Sequence, residues 1–288
     1  MNNIENLYKE ISPVNEMIVA SAQKHFNQLI KPVGSLGKLE SMVSRYLGII
    51  KETNSSLVSY PSKKIVLFVD NNNEEYLLLA KNELLPISIL ASSVNAKLSI
   101  VENSKKKLNS SNDIYTSIKE GYEKVFDKSV NSQLIGLGSN SNFLINKKLL
   151  EIKDPLKLLI HFDDSELSEM VGAVFALAKT GNQIMVDGLK SSVSVWIASL
   201  FNPFVLEYTV ASHISTENNH KEVLDFLGLD ALLKLDITQG DCEGTAFAFT
   251  VFDAGLKAYK EMDTFNSGNV HEELSTFTKK ENWSYIVR

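Results

Sequence analysis

The chain has 288 residues, of which 44% are hydrophobic and 22% charged, and its formal net charge at pH 7 is −6. This length is enough for one large domain or two smaller ones, each with its own core. The acidic balance, with no basic surface interleaved with aromatic residues, argues against a nucleic-acid partner. No apolar run approaches the roughly 18 residues of a membrane span, so we expect a globular protein with no membrane association.

Cysteine usage and the N-terminal residues predict the compartment. The single cysteine, Cys242, excludes an intrachain disulfide framework and a cysteine-rich zinc site. The first residues, MNNIENLYKEISPVNE, show no basic segment followed by an apolar one, as a secretory signal would. We therefore expect a cytoplasmic protein.

The first sixty residues predict helices. Apolar positions over residues 4–30 recur near a 3.6-residue period, with an interruption at Ser12 and Pro13, and Pro13 is predicted to start the second helix. Residues 31–40, KPVGSLGKLE, are rich in turn formers, and a further helix follows from Leu39. Composition alone favours a simple connector for this decapeptide.

From residue 64 to about 240, strand patterns alternate with helix patterns. Helices are predicted at residues 74–93, 113–126, 165–180, 191–201, 221–227 and 245–265. Strands are predicted at residues 65–70, 97–101, 133–138, 183–188 and 204–210, whereas residues 156–162 fit either a strand or the end of a helix begun near Pro155. The strands are short, largely apolar runs, and their alternation with helices predicts an α/β fold with a buried parallel sheet.

A glycine-rich loop follows the third predicted strand. It runs Gly136-Leu137-Gly138-Ser139-Asn140-Ser141-Asn142. Such a loop can present backbone N–H groups and hydroxyls to a phosphate. It lacks the third glycine of a dinucleotide fingerprint and the lysine of a P-loop, so an ordinary turn is the competing interpretation.

Other polar groups have two interpretations each. His213, Glu217 and His220 do not have the helical His-Glu-x-x-His spacing, so a hydrogen-bonded loop is favoured over a metal site, and no metal is predicted. Asp163 and Asp164 most simply cap the helix that starts near residue 165.

Two carboxylates flank Cys242 just before the last long helix. Asp241 and Glu243 fit either a cap of that helix or a general base whose pKa is raised in a pocket, and the residues alone leave both open. Cys242 has no cationic neighbour in sequence and is interpreted as a packed thiol.

Several ordered motifs along the chain match one set of family signatures. Residues 31–40 are similar to KPPGSLGRLE, 168–173 to EIAAMAGA, 186–188 to LDGF, 211–220 to ASHxSxExGH, and 261–265 to EMATF. With these motifs the chain resembles the nicotinate-nucleotide:dimethylbenzimidazole phosphoribosyltransferase family of cobamide biosynthesis. The resemblance implies a Rossmann-like parallel sheet flanked by helices, at residues 61–244. It also implies a small helical domain formed by residues 1–60 and 245–288.

The same resemblance implies the reaction. Phosphoribose moves from nicotinate mononucleotide to an aromatic acceptor, a benzimidazole or a phenol, with no cofactor, and the product becomes the lower ligand of a cobamide. In register with the family's LGEGTGAA motif, Asp241 stands where the general-base glutamate belongs, and Glu243 needs a two-residue shift. Substrate contacts are expected at Gly136, Gly138, Ser139, Asn140, Asp187 and Gly188.

Departures from the family pattern leave other hypotheses open. The family's GEMGIGNTT loop is shortened here to residues 136–142, and Asp70-Asn71-Asn72-Asn73 replaces its DHGV. The family's GG is replaced by Asp163-Asp164, and this change places negative charge near a bound phosphate. A related two-subunit enzyme acts on phenol or p-cresol, so the chain is expected to be a homodimer or to pair with a paralogous subunit. The competing hypotheses are a non-catalytic subunit that supports a catalytic paralogue and, ranked last, a nucleotide-binding regulator.

Overall fold

A computed structural model describes residues 4–103, 105–129 and 134–267, and it contains a five-stranded parallel sheet. Its strands are β1 (Lys63–Asp70), β2 (Ala96–Asn103), β3 (Leu134–Ser139), β4 (Gln183–Val186) and β5 (Thr209–Ala211). Every residue of β3 and β4 is buried, as is the central part of β1. Burial on both faces explains why these strands are continuous apolar runs without alternation.

The strand order is β2-β1-β3-β4-β5, and each neighbouring pair is parallel. The order reverses between β1 and β3, because the chain leaves β1 toward β2 and then returns to the other side of β1. Parallel α/β sheets bind ligands outside the carboxyl ends of the strands at such a switch point. The loops after Asp70 and Ser139 are therefore the expected place for a site.

Eleven α-helices lie within the described residues. They are α1 (Glu5–Tyr8), α2 (Glu16–Gln28), α3 (Lys38–Ile50), α4 (Glu74–Lys81), α5 (Pro86–Ser93), α6 (Ser111–Ser129), α7 (Pro155–Phe162), α8 (Ser165–Lys179), α9 (Gly188–Phe201), α10 (His220–Leu227) and α11 (Glu243–Glu261). Almost all of α8 and most of α9 are buried, which matches their small and apolar composition. None of the described helices is both long enough and apolar enough to cross a membrane.

The α/β class and the parallel sheet are confirmed, but four local predictions need correction. Pro13 does not start the second helix, because α2 begins at Glu16 and is capped by Asn15. The helix predicted over 74–93 is two helices, because Pro86 starts α5 and has no N–H to continue the preceding turn. Residues 204–210 are mostly a 3₁₀ helix (Pro203–Tyr208), and only Thr209 begins β5. The strand predicted over 183–188 ends at Val186, since Gly188 already belongs to α9.

The alternative left open at residues 156–162 is resolved as a helix. Asp154 accepts hydrogen bonds from the backbone N–H groups of Leu156 and Lys157, and Pro155 occupies the first helical position. Both are typical signals of a helix N-terminus. Residue 133, predicted to open the third strand, lies outside the described residues.

The chain divides into two compact units. Among the described residues, the first unit contains those of 4–14 and 61–251, and the second contains those of 15–60 and 252–267. The sequence prediction placed residues 4–14 in the helical domain, whereas their contacts lie in the α/β unit. Asn202 donates to the backbone oxygens of Tyr8 and Ile11, and the Tyr8 ring packs against Phe175.

The helical unit contains the connector predicted at residues 31–40. Lys31 and Glu40, at its two ends, form an ion pair at 2.7 Å in which both side chains are almost fully buried. Glu40 also accepts from the backbone N–H of Leu36 and the side-chain amide of Gln23. The turn between α2 and α3 is thus stabilised by this buried ion pair as well as by its glycines.

Candidate active site

The 240–245 segment lies against the carboxyl end of β3. The backbone N–H of Ser139 donates to the Gly240 oxygen at 3.0 Å. A Cβ atom on Gly138 would lie 2.3 Å from that oxygen, and one on Gly136 would lie 2.4 Å from the Thr245 methyl carbon. Both predicted glycines are therefore buried in β3, where they permit this close approach, and a substrate contact for either stays a prediction.

Asp241 is buried, with 6% of its surface exposed. Its Oδ2 accepts a 2.7 Å hydrogen bond from the hydroxyl of Tyr76, on α4. Its Oδ1 is buried and has no hydrogen-bond partner among the described residues. Burial raises the pKa of Asp241 to about 6, and nearby Glu243, Asp187 and Glu217 add to the rise, whereas the Tyr76 hydrogen bond opposes it. A carboxylate with one held and one free oxygen is suited to accept a proton near neutral pH.

Glu243 and Asp187 stand at the N-terminus of α11. Glu243 is its first residue and is half-buried, and burial followed by the charge of Asp187 raises the pKa of its carboxyl. The cap is supplied from elsewhere, because the backbone N–H of Thr245 donates to Asp187 Oδ2 at 3.2 Å. Since Asp187 is 58 residues away in sequence, local spacing could not have revealed this contact.

Asp187 also pairs with His213. The two side chains are fully buried, and Asp187 Oδ1 lies 2.7 Å from His213 Nδ1. Burial disfavours the charged imidazole, but the close contact with the Asp187 carboxylate outweighs it, so the pKa of His213 is raised. Asp187, predicted to contact substrate, thus joins the end of β4 to the loop after β5 and to α11.

Glu217 crosses to the N-terminus of α9. Its Oε2 accepts from the backbone N–H of Leu189 and from the hydroxyl of Ser215, both at 2.7 Å. Gly188 has φ +80°, and a Cβ there would lie 2.5 Å from the Gly240 Cα and 2.8 Å from Glu217 Oε2. Only glycine fits this position, where three segments meet. Burial raises the pKa of Glu217.

His220 completes the loop after β5. Its Nδ1 accepts from the backbone N–H of Ser215, and its Nε2 lies 3.1 Å from the Ser192 hydroxyl. Burial lowers the pKa of His220 to about 4. The hydrogen-bonded loop favoured by the sequence is confirmed, and within the described residues no group of three or more His, Cys, Asp or Glu side chains is arranged to hold a metal ion.

An open cleft of about 360 Å³ lies at this end of the sheet. It contains Asp241, Ser139 and Asn140 among the predicted site residues, but Gly136, Gly138, Asp187, Gly188 and Glu243 do not line it. Its walls are residues 139–144, Glu217, Asn218 and residues 238–241. No lysine or arginine is among these described wall residues. Tyr76 was missed by the sequence analysis, and its position one turn into the helix after β1 was the only available signal.

The structure resolves the interpretations of two further residues. Asp164 caps α8, since its Oδ1 accepts from the backbone N–H of Leu167, as predicted. Asp163 instead follows the end of α7 with φ +46° and accepts from the backbone N–H of Leu108. Cys242 is a buried free thiol whose pKa is raised by burial, which agrees with its interpretation as a packed side chain.

The fold and the cleft define a parallel α/β protein with a buried carboxylate of raised pKa at the switch point of its sheet. A sequence model of the family described as Phosphoribosyltransferase matches residues 11–73 and 142–270. The match spans more than half of the chain, and the protein belongs to this family. Asp187, Gly188, Asp241 and Glu243 lie inside the matched residues, whereas Tyr76 and residues 136–141 lie in the unmatched stretch.

Curated relatives and solved structures agree with this assignment. The nicotinate-nucleotide–dimethylbenzimidazole phosphoribosyltransferase of Chlorobium chlorochromatii is 24% identical over 94% of this chain and 98% of its own length. The enzyme of the same name from Geotalea uraniireducens is 25% identical over 94% and 99%. The crystal structure of such an enzyme from Thermus thermophilus shares the fold, with a TM-score of 0.76 at 16% identity over 89% of this chain and 99% of that one.

Proposed function

We propose that the protein transfers phosphoribose from nicotinate mononucleotide to an aromatic acceptor, a benzimidazole or a phenol, in the synthesis of the cobamide lower ligand. Family membership and the names of the full-length relatives support the reaction class. The observation that carries the proposal is Asp241, a buried carboxylate with a pKa of about 6 and a free Oδ1 beside an open cleft.

Asp241 is the general base in this proposal. The bond between the anomeric carbon and the nicotinate nitrogen breaks, and the nitrogen keeps the electron pair. The acceptor forms a new bond to the same carbon and gives its proton to Asp241 Oδ1. Removing that proton as the carbon becomes oxocarbenium-like increases the acceptor's nucleophilicity. No electron is transferred to or from the substrates, so the proposal includes no cofactor.

The remaining site residues have supporting roles in the proposal. Ser139 and Asn140 contact the nucleotide from the cleft wall, with Gly136 and Gly138 behind them in β3. Asp187 and Gly188 hold α9 and α11 against the base. Because nicotinate mononucleotide is a charged metabolite, we propose a cytoplasmic location, and we propose a homodimer or a heterodimer with a paralogous subunit.

The test is nicotinate release from the purified chain given nicotinate mononucleotide with dimethylbenzimidazole, phenol or p-cresol. We expect Asp241→Asn to lower kcat at least ~100-fold, because general-base catalysis contributes roughly 10²–10⁴-fold. Glu243→Gln is the matched control and should retain most of the activity. Full activity in Asp241→Asn, or loss of activity only in Glu243→Gln, would instead assign the role of general base to Glu243.

One observation favours the second candidate, a subunit that supports a catalytic paralogue. The described residues of the cleft wall carry two carboxylates, Asp241 and Glu217, and no cationic side chain to balance a nucleotide phosphate. In that case the chain alone releases no nicotinate, and adding the paralogue restores turnover that does not depend on Asp241. Turnover by the isolated chain that is lost in Asp241→Asn excludes this candidate.

A further inference from the structure

The serine hydroxyls of the loop after β3 already bind a carboxylate of the same chain. The Ser139 hydroxyl donates to Glu166 Oε1, and the Ser141 hydroxyl donates to Glu166 Oε2 at 2.9 Å. The backbone N–H of Ser141 donates to the Ser139 hydroxyl at 3.0 Å, which orients it further. Glu166, in the first turn of α8, has no exposed surface. Both hydroxyls that the loop could offer to a phosphate are therefore occupied.

A buried lysine completes this arrangement. Lys190, in the first turn of α9, is 3% exposed, and its Nζ lies 2.9 Å from Glu166 Oε1 and 2.9 Å from Asp164 Oδ2. Two hydroxyls and an ammonium group converging at helix N-termini are the donors that bind a phosphate monoester in proteins. Here the same donors hold carboxylates instead.

Three helix N-termini near this position also bind carboxylates of the same chain. The backbone N–H of Leu167 in α8 donates to Asp164, that of Leu189 in α9 to Glu217, and that of Thr245 in α11 to Asp187. The N-termini of α8, α9 and α11, whose free N–H groups could attract an anion, thus each hold an internal carboxylate.

We infer that the anion position at the end of β3 is filled by the chain's own Glu166 carboxylate, which a substrate phosphate must displace from Ser139, Ser141 and Lys190. The identity of that phosphate, as part of a mononucleotide, rests on the proposed function. Glu166 then controls access of phosphate to this position. A phosphate dianion placed beside the Glu166 and Asp164 carboxylates would be repelled by both, because the groups would lie close together where water is excluded.

The test compares phosphate binding by the full chain with that of Glu166→Gln, by calorimetric titration of inorganic phosphate at constant ionic strength. The amide keeps the size of the side chain and leaves Lys190 with one carboxylate partner. We expect phosphate to bind about tenfold more tightly or better, since one adjacent like charge is removed. The gain should disappear in the double variant Glu166→Gln/Lys190→Met.

Glu169→Gln is the matched control. Glu169 lies one turn further along α8, is equally buried, and pairs with Lys124 at 2.6 Å, so this variant loses a buried, lysine-paired carboxylate without touching the β3 loop. Its phosphate affinity should equal that of the unaltered chain. An equal gain in Glu169→Gln, or no gain in a folded Glu166→Gln, overturns the inference.

If Glu166→Gln does not fold, the phosphate titration is carried out with Asp164→Asn instead. Asparagine caps a helix about as well as aspartate, and the change removes the second carboxylate on Lys190, so phosphate affinity should again rise. No rise in folded Asp164→Asn then overturns the inference. Because inorganic phosphate binding does not require turnover, these results are separable from the nicotinate-release assay that tests the proposed function.

Discussion

In the proposed reaction, the chemistry of the cleft depends on the surroundings of the Asp241 carboxylate. Asp241 is buried beside Glu243, Asp187 and Glu217, all of which raise its pKa, and only the Tyr76 hydroxyl lowers it. The balance leaves a base that is ionised at neutral pH but still basic enough to take a proton. In the proposed reaction Tyr76 is therefore a positioning residue, since it holds Oδ2 of Asp241 and leaves Oδ1 as the oxygen proposed to accept the proton.

Tyr76→Phe tests this role through the pH dependence of kcat. Because the hydrogen bond to Tyr76 lowers the pKa of Asp241, its loss should raise that pKa, and the acid limb of the profile should move from near pH 6 to higher pH. The control is Tyr208→Phe, which removes a 2.8 Å hydrogen bond to the Ser12 oxygen. If the acid limb of the pH profile does not move in Tyr76→Phe, the Tyr76 hydroxyl does not set the pKa of Asp241 and the side chain serves only in packing.

Asp241→Asn should also stabilise the fold at neutral pH. The pKa of this carboxyl is 3.8 in the unfolded chain and about 6 in the folded protein, so folding favours its protonated form. The native protein therefore loses stability as the pH rises between those two values. Relative to the unaltered chain, the variant should gain about 1–3 kcal/mol of unfolding free energy at pH 8. The gain should shrink to near zero at pH 4, as measured by urea unfolding. A constant gain at both pH values would contradict the assigned pKa.

At the scale of elements, α6 and α8 pack through their backbones. A Cβ on Gly172 of α8 would lie 1.9 Å from the Ile118 oxygen, and one on Gly121 of α6 would lie 1.9 Å from the Glu169 oxygen. The two helices can approach this closely only because each has a glycine at the crossing. The small-residue composition of α8 predicted its burial, but not which helix would contact it.

Gly172→Ala should lower the unfolding free energy by roughly 2–4 kcal/mol, because an added methyl must push two backbones apart. Gly255→Ala is the control, since this helical glycine has a side-chain methyl of Val43 at 3.1 Å as its nearest neighbour. It should change stability by less than about 1 kcal/mol, where the gain in helix propensity offsets mild crowding. Equal losses in chemical denaturation would refute the close helix crossing.

At the scale of the whole molecule, residues 4–14 are part of the α/β unit. Tyr8 packs between Phe175 and Phe201 with ring centroids 5.3 and 5.4 Å away, and the backbone N–H of Val14 donates to Glu207 at 2.7 Å. The partners lie far away in sequence, so periodicity near the N-terminus could not distinguish between the two units.

Tyr8→Ala should therefore destabilise the α/β unit, by about 2 kcal/mol for the lost aromatic contacts and buried area. The change should appear as a lower thermal midpoint for the transition that a tryptophan probe reports, because Trp196 is buried in α9 of that unit. Met17→Ala, at a residue that is 81% exposed, is the control and should leave the midpoint unchanged. A normal midpoint in Tyr8→Ala would place the segment outside the cooperative unit.

The sequence alone was sufficient for the α/β class, most of the strands and the family. Buried parallel strands carry continuous apolar runs, and ordered motifs persist where identity is low, so both signals are local. The same holds for Asp164 as a helix cap and for the loop that carries His213 and His220. The 3₁₀ helix before β5 was missed because Pro203–Tyr208 has the composition of a strand.

The site itself required the tertiary structure. The pairing of Tyr76 with Asp241, of Asp187 with Thr245 and of Glu166 with the β3 loop joins residues 27 to 165 positions apart. A carboxylate's pKa and its free oxygens depend on which groups surround it, and no spacing along the chain encodes those neighbours. Sequence located Asp241, and only folding gave it a buried setting, one hydrogen-bond donor and a buried oxygen with no partner among the described residues.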